Sequence, residues 1–452
     1  MSRRTIFAVA SAPGKAAVAV VRVSGPATRE VLAALAGRVP PPRQVRLRQI
    51  RDPDGESIDR GFVIWFPAPR SFTGEDMAEL HVHGGRAVAA GLVAALSGFD
   101  DVRPAEAGEF AKRAFLNGKL DLTAAEGVAD LVAAETEAQR KQALRQMEGE
   151  FGRVVEDWRE RLVRALAHVE AEIDFADEDL GKSPSELVKP QILGLRAEIT
   201  QYLDDDRRGE RLREGVSVAI VGPPNSGKSS LLNYLVKREA AIVSALAGTT
   251  RDVIEVHLDL GGYPVVLADT AGLRPTADDV EKEGVRRAIA RAESADLKLV
   301  VVEAPAWPRV DAGTAALIGE DSILVLNKRD LVADGLAVKS DGAGAAGAGR
   351  AAAVVETSVR SGEGLDRLLE VLEREVAARL AHGGGAPMIT RARHRTALQD
   401  CVDALRRFSG APSMELAAED LRIAARALGR ITGRTGIEDL LDVVFQDFCI
   451  GK

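Results

Sequence analysis

Sulfur and aromatic rings are both scarce in this 452-residue chain, which has two cysteines, Cys401 and Cys449, and only 4% aromatic residues. Two thiols exclude a disulfide framework and suit a reducing compartment. The shortage of rings means that the cores must be aliphatic and alanine-rich. Long apolar runs are missing as well. Pro13, Gly14 and Lys15 interrupt the first one and Arg22 charges the next, so Met1-Ser2-Arg3-Arg4 does not open a secretion signal. Nothing approaches the roughly 18 apolar residues of a membrane span, and a cytoplasmic protein that makes no use of a membrane is the expectation. Basic excess is also absent: 60 basic against 68 acidic residues give a net charge of −8, which excludes a bulk-basic nucleic-acid coat but leaves a local basic face open. What is present is 46% apolar and 28% charged residues, enough to build large cores. At about 150 residues per domain, two to four domains are expected.

The texture changes along the chain. Residues 1–118 alternate short apolar runs (Ala16 to Val21, Gly61 to Phe66) with turns, as an α+β domain does. Residues 119–212 read as long helices. Thr123-Ala124-Ala125-Glu126 has the pattern of a capping box, and Ile192, Leu195, Ile199 and Leu203 form one apolar stripe. Residues 213–380 alternate strands and helices, with strands at Val216–Val221, Val265–Ala268, Leu297–Val302, Ile323–Leu326 and Val354–Glu356. That is the rhythm of a parallel sheet with covering helices. The Gly/Ala tract 340–353 reads as a loop, and the glycines before Pro387 end the unit. Helical texture resumes over 388–452. The predicted fold is therefore multidomain, with an α/β unit inserted into an all-α domain.

Gly222-Pro223-Pro224-Asn225-Ser226-Gly227-Lys228-Ser229 follows a β-branched strand and opens a helix, the context that makes this glycine-rich spacing a phosphate loop. Its amides can wrap phosphates, Lys228 can reach the outer two, and Ser229 offers a hydroxyl to Mg²⁺. Asp269-Thr270-Ala271-Gly272 closes a strand, so Asp269 can reach the magnesium shell and the Gly272 amide the terminal phosphate. Asn327-Lys328-Arg329-Asp330 closes another strand, and a carboxylate there can accept guanine's N1–H and amino group, a donor pair that adenine lacks. Gly248-Thr249-Thr250-Arg251-Asp252 supplies threonines between these elements, as a switch segment would. These elements together point to GTP binding. The residue after Gly272 is Leu273, where small signalling GTPases carry a water-orienting glutamine. Glu281 is the nearest replacement, and an acidic helix start is its plainer role.

Together with the terminal Phe448-Cys449-Ile450-Gly451-Lys452, and with Ser71 to Asp76 and Phe115 to Asp121, these segments resemble the MnmE (TrmE) family of tRNA modification GTPases. The resemblance runs through the whole chain. It implies an N-terminal folate-binding domain, a helical domain split by the GTPase domain, and a homodimer. It also implies a flavin-dependent (MnmG-type) partner, which would carry the FAD. With that partner the family adds a carboxymethylaminomethyl or aminomethyl group to C5 of the wobble uridine of certain tRNAs, taking one carbon from a tetrahydrofolate derivative. By the same resemblance, the GTP contacts are Asn225, Ser226, Gly227, Lys228, Ser229 and Ser230, the stretch Ser244, Ala245, Leu246, Ala247, Gly248, Thr249 and Thr250, and Asp269, Thr270, Ala271 and Gly272. Asn327, Lys328, Asp330, Ser358, Val359 and Arg360 complete them. K⁺ falls to Asn225, Ser244, Leu246 and Thr249, Mg²⁺ to Ser229 and Thr250, the attacking water to Glu281, and the folate to Arg22, Glu79, Lys119 and Lys452.

Four weaker signals remain. His81 and His83 face one side of a strand, where a structural role outweighs a metal pair that has no further ligands nearby. Cys449 lies among apolar neighbours, as an inert thiol does, yet beside the tail. Arg422, Arg426, Arg430 and Arg434 recur every fourth residue, which suits either phosphate contact with tRNA or a solvated face. The acidic run from Glu170 to Asp179 suits a solvated helix end better than a metal site. A different class of function, an RNA-binding GTPase switch in ribosome assembly, would need none of the folate residues.

Overall fold

A computed structural model of the chain describes residues 4–174, 184–238, 255–269, 294–332, 350–381 and 388–435, together with 441, 444, 445, 448, 450 and 451. Two compact units emerge. One comprises Met1–Val132, Ala143–Thr200 and Thr396–Lys452, and the other Ala133–Gln142 and Gln201–Arg395.

The first unit opens with a six-stranded sheet of β1 (Thr5–Val9), β2 (Ala16–Ser24), β3 (Arg46–Arg51), β4 (Ser57–Phe66), β5 (Met77–Gly84) and β6 (Val102–Pro104), in the order β3-β4-β5-β2-β1-β6. All neighbours are antiparallel except β1 and β6. Period-two alternation sends Val21, Val23, Val63, Leu80 and Val82 into a core with Leu32 and Leu35 of α1 (Thr28–Ala36) and Leu92 and Leu96 of α2 (Arg86–Ser97). The intervening residues, Arg22, Glu79 and His81 among them, therefore emerge on the opposite face.

Five helices come next: α3 (Glu109–Leu116), α4 (Leu122–Ala133), α5 (Glu137–Met147), α6 (Glu150–Asp174) and α7 (Pro184–Leu203). The capping-box expectation is corrected at α4. Thr123 already lies inside the helix, and Asp121 caps it, its Oδ1 accepting the Ala124 amide at 2.8 Å and the Thr123 hydroxyl at 2.7 Å. A carboxylate one residue before the helix accepts the free amide better than a hydroxyl within it. On α7, Ile192, Leu195 and Ile199 are buried as the stripe requires, and Leu203 is half-buried.

In the second unit, α8 (Arg208–Glu214) leads into β7 (Val216–Val221), α9 (Lys228–Arg238), β8 (Glu255–Leu260), β9 (Tyr263–Asp269), β10 (Leu297–Glu303), α10 (Ala312–Ala316), β11 (Ser322–Asn327), β12 (Ala353–Glu356) and α11 (Leu365–Ala381). The strand order is β12-β11-β10-β7-β9-β8. The five expected strands are parallel, but β8 runs antiparallel to β9 at the edge. Aliphatic clusters cover both faces, one with α9 and α11 and the other around Ile318, which is why the central strands read as continuous apolar runs. Of the Gly/Ala tract, residues 340–349 lie outside the described residues, and Ala353 already begins β12.

The first unit closes with α12 (Ala392–Phe408), from Thr396 onward, and α13 (Met414–Thr432), which packs on α6. The arginine row is only partly on a helix, because Gly433, at φ +83°, ends α13 before Arg434. Arg422 pairs with Glu170 at 2.7 Å, Arg430 with Asp400 at 2.5 Å and Arg434 with Glu156 at 3.3 Å. These partners match a salt-bridged helix surface rather than four free guanidiniums. Cys401, on α12, is buried, and burial, helped by Asp400, pushes its thiol up to about 12.

Candidate functional site

The phosphate loop begins where β7 ends. Gly222 adopts φ +139°, and a Cβ there would come within 2.1 Å of the Val301 carbonyl oxygen. Gly227 adopts φ +99°, with its would-be Cβ 2.1 Å from the Asn327 side-chain nitrogen. No other residue tolerates both the backbone angle and that closeness. α9 starts at Lys228, so its unsatisfied amides and positive dipole end meet the loop, as an anion site requires. Lys228 Nζ donates to the carbonyls of Gly222 at 3.0 Å and Pro223 at 2.7 Å, lying across the loop. Asn225, at φ +60°, and the first-turn residues Ser229 and Ser230 are exposed, while Ser226 is buried with no partner for its hydroxyl oxygen among the described residues.

The second half of the site rests on the fully buried strand β11. Asn327 at its end is 2% exposed, and its amide reaches both loops. Nδ2 donates to the Ser226 carbonyl at 2.8 Å, and Oδ1 accepts the Val359 amide at 3.3 Å. Lys328, at φ +62°, turns the chain and pairs with Glu303 at 2.5 Å. Asp330 Oδ1 accepts the buried Ser358 hydroxyl at 2.6 Å, so the carboxylate is oriented by the loop that follows β12. Val359 is half-buried and Arg360 exposed beside it. The structure thus joins Ser226, Gly227, Asn327, Asp330, Ser358 and Val359. Asp269 ends β9 directly beside Ile220 of β7. Ser244, Ala245, Leu246, Ala247, Gly248, Thr249, Thr250, Thr270, Ala271, Gly272, Leu273 and Glu281 lie outside the described residues, as do the acidic residues Asp177 to Asp179.

A second cluster sits on the open face of the N-terminal sheet. Arg22 on β2 lies opposite Glu79 on β5, and its Nε donates to Glu79 Oε1 at 3.0 Å. Arg22 also donates to the Gly451 carbonyl at 3.3 Å, and Ile450 bridges to Ala107, so the tail closes onto this sheet. Lys119 donates to the Pro69 carbonyl at 3.2 Å, beside the 70–76 loop. No described hydrogen bond or ion pair joins Lys119 to Arg22 or Glu79. Lys452 and Cys449 lie outside the described residues.

The loop at 70–76 is fixed by a buried network. Arg113 reaches Glu75 at 2.9 Å and Glu109 at 2.9 Å, Ser24 reaches Glu75 at 3.1 Å, and Asn117 donates to the Thr73 carbonyl at 2.6 Å. Burial alone would raise the Glu109 carboxyl, but the Arg103 side chain, the Glu106 amide and Arg113 together hold it below the ordinary carboxylate range. The two histidines go to separate carboxylates, His81 to Glu79 at 3.0 Å and His83 to Asp59 at 2.9 Å. Among the described residues no group of three or more side chains could hold a metal ion. Sequence reasoning missed the Gly451 carbonyl and the His81–Glu79 contact, for neither spacing nor residue type marks them.

Two family models match the chain: the MnmE helical domain over residues 122–449, and the GTP-binding protein TrmE N-terminus over residues 5–119. The tRNA modification GTPase MnmE of Paramagnetospirillum magneticum is 56% identical over 449 residues, covering 99% of each chain. That of Rhodospirillum rubrum is 52% identical over 465 aligned positions and 100% of each chain. The mitochondrial 5-taurinomethyluridine-[tRNA] synthase subunit GTPB3 of Danio rerio is 48% identical over 468 positions, 99% of this chain and 93% of that one.

Proposed function

The chain belongs to the MnmE family of tRNA modification GTPases, and from that premise we propose that its GTP hydrolysis serves a folate-dependent modification of wobble uridine. In this reading the product carries a carboxymethylaminomethyl or aminomethyl group at C5, and a flavin-dependent partner completes the reaction. The zebrafish relative's name supports chemistry at C5 of a tRNA uridine. The carrying observation is the second cluster, Arg22–Glu79 with the Gly451 carbonyl, which nucleotide hydrolysis alone does not need.

The folate pairs with these residues by plain chemistry. A pterin presents an N–H and an amino group side by side, which suit the Glu79 carboxylate, and its glutamyl tail is anionic, which suits Lys119 and Lys452. Arg22 fixes the carboxylate. In the nucleotide site, the phosphate-loop amides and Lys228 bind the triphosphate, Asp330 reads guanine, and Glu281 orients the attacking water. Mg²⁺ and K⁺ would supply positive charge beside the phosphate oxygens. Ser229, exposed on the first turn of α9, and Thr250 suit Mg²⁺. The exposed carboxamide of Asn225, with oxygens from Ser244, Leu246 and Thr249, suits K⁺. The working form in this reading is a homodimer joined to the flavin-dependent partner, in the cytoplasm; among the described residues no helix is long and apolar enough to cross a membrane.

Mass spectrometry of wobble uridine tests this, in a strain lacking the gene and complemented with variants. Deleting the last four residues should abolish the modification and leave GTP affinity within about twofold, since distant sites behave nearly additively. Normal modification in the gene-deleted strain would turn the reading toward a GTPase that acts in ribosome assembly instead. Full modification by the truncated chain would remove the tail from the folate site.

A further inference from the structure

We propose that His81 is a positioning residue for Glu79, fixing its carboxylate in the plane that a pterin's paired donors require; this deepens, and rests on, the folate reading above. The two side chains leave the same face of β5, two residues apart. His81 Nε2 lies 3.0 Å from Glu79 Oε2, and Arg22 Nε lies 3.0 Å from Glu79 Oε1. Each carboxylate oxygen is thus held by a different donor.

A carboxylate has about four acceptor positions, two on each oxygen. Arg22 takes one on Oε1 and His81 takes one on Oε2, which among the described residues leaves one acceptor position on each oxygen. In this proposal those positions receive the N–H and the adjacent amino group of a fused heterocycle. Arg22 alone would not achieve this, because a single contact lets the terminal torsion of a glutamate turn broadly. Two contacts stop it.

Among the described residues the imidazole makes this one side-chain hydrogen bond. Across the sheet His81 faces Val20 on β2 and Phe62 on β4, and neither side chain offers it a hydrogen bond. Glu79 faces Ile64 on its other flank. The pair is sheltered without being sealed: the His81 side chain is 30% exposed and that of Glu79 17%. A ligand can therefore reach the carboxylate from the open side while its two clamps stay in place. Because the carboxylate accepts, the Nε2 position carries the proton, so the requirement at residue 81 is a donor at that reach, and the ring itself is dispensable.

The requirement gives the test. Binding of (6S)-5-formyltetrahydrofolate to the full-length protein is measured by titration calorimetry for the unmutated chain, Glu79→Gln, His81→Leu, His81→Asn and His81→Gln. Losing one hydrogen bond to a charged group should weaken binding about tenfold in His81→Leu. His81→Asn, whose amide falls short of Glu79, should lose as much and serves if the leucine variant folds poorly. His81→Gln, whose amide nitrogen reaches the Nε2 position, should bind within about twofold of the unmutated chain, a rescue that mere packing does not predict. GTP affinity and melting temperature should stay level throughout. Unweakened binding by His81→Leu or His81→Asn overturns the proposal, and so does a glutamine variant as weak as the asparagine one. If the unmutated chain fails to bind, or Glu79→Gln binds as well as it does, the folate reading itself falls and takes this proposal with it.

Discussion

Asp330→Asn is expected to lower GTP affinity at least about a hundredfold and to make xanthosine triphosphate the better ligand. In the proposed site the Asp330 carboxylate would offer acceptors to two guanine donors, and hydrogen bonds to a charged acceptor are worth about 1.5–3 kcal/mol each. An amide in its place presents a donor to guanine's amino group, so one favourable contact becomes a repulsive one. The Ser358 hydroxyl, donating to Asp330 Oδ1 at 2.6 Å, decides which way the new amide turns. It keeps the oxygen on its own side and sends the nitrogen toward the base. Xanthine carries a carbonyl where guanine carries the amino group, and so meets that nitrogen with an acceptor. Titration of the variant with fluorescent GTP and XTP reads both effects. Unchanged GTP affinity would take Asp330 out of the base site.

The second large effect concerns hydrolysis. With Leu273 in place of a polar water-orienting residue, the chain lacks one familiar source of rate, and its phosphate loop carries the exposed carboxamide of Asn225. In the proposed reading that carboxamide, with oxygens of Ser244, Leu246 and Thr249, would hold a large monovalent cation beside the phosphates. Charge stabilisation at that position is worth about 10³-fold or more in phosphoryl transfer. GTP turnover should therefore be faster by about that factor in K⁺ than in Na⁺ at equal ionic strength, which holds screening constant. Asn225→Ala should erase the difference, and Glu281→Ala should slow turnover in K⁺ while leaving GTP binding intact. Equal rates in the two salts for the unmutated chain would reject the cation's role.

The nucleotide unit was the most legible part of the chain, because its chemistry is local. Gly222 to Ser229 carries its strand, turn and helix within one window, and apolar runs mark β7, β10 and β11 as doubly buried. The edge strand β8 escaped although Val256, Leu258 and Leu260 alternate with polar residues, because the strands of this unit are read from continuous apolar runs alone. At α4 the motif Thr123-x-x-Glu126 was present, yet Asp121 stood one residue ahead of the helix and won the free amide. Residues Ala133–Gln142 read as helix, and all but 134–136 are helical, yet they belong with the nucleotide unit. Tertiary contacts decide that: the Ala138 amide donates to the Gly262 carbonyl at 3.1 Å and Gln139 to the Arg213 carbonyl at 3.0 Å. Periodicity reports which face of a helix is apolar and is silent on what covers it. The same limit applies to Arg22 and Glu79, 57 positions apart, whose meeting depends on β2 and β5 pairing in one register.

Asn327 holds the Ser226 carbonyl with one end of its amide and the Val359 amide with the other, and Gly227 leaves no room for a Cβ beside it. Damage therefore does not stay in the motif where it occurs. An alanine at position 227 would push the Asn327 amide aside and release the Val359 backbone next to Asp330, so a lesion in the phosphate loop would present as a loss of discrimination between bases. Genetic screens that sort variants by motif would file it under the wrong half of the site.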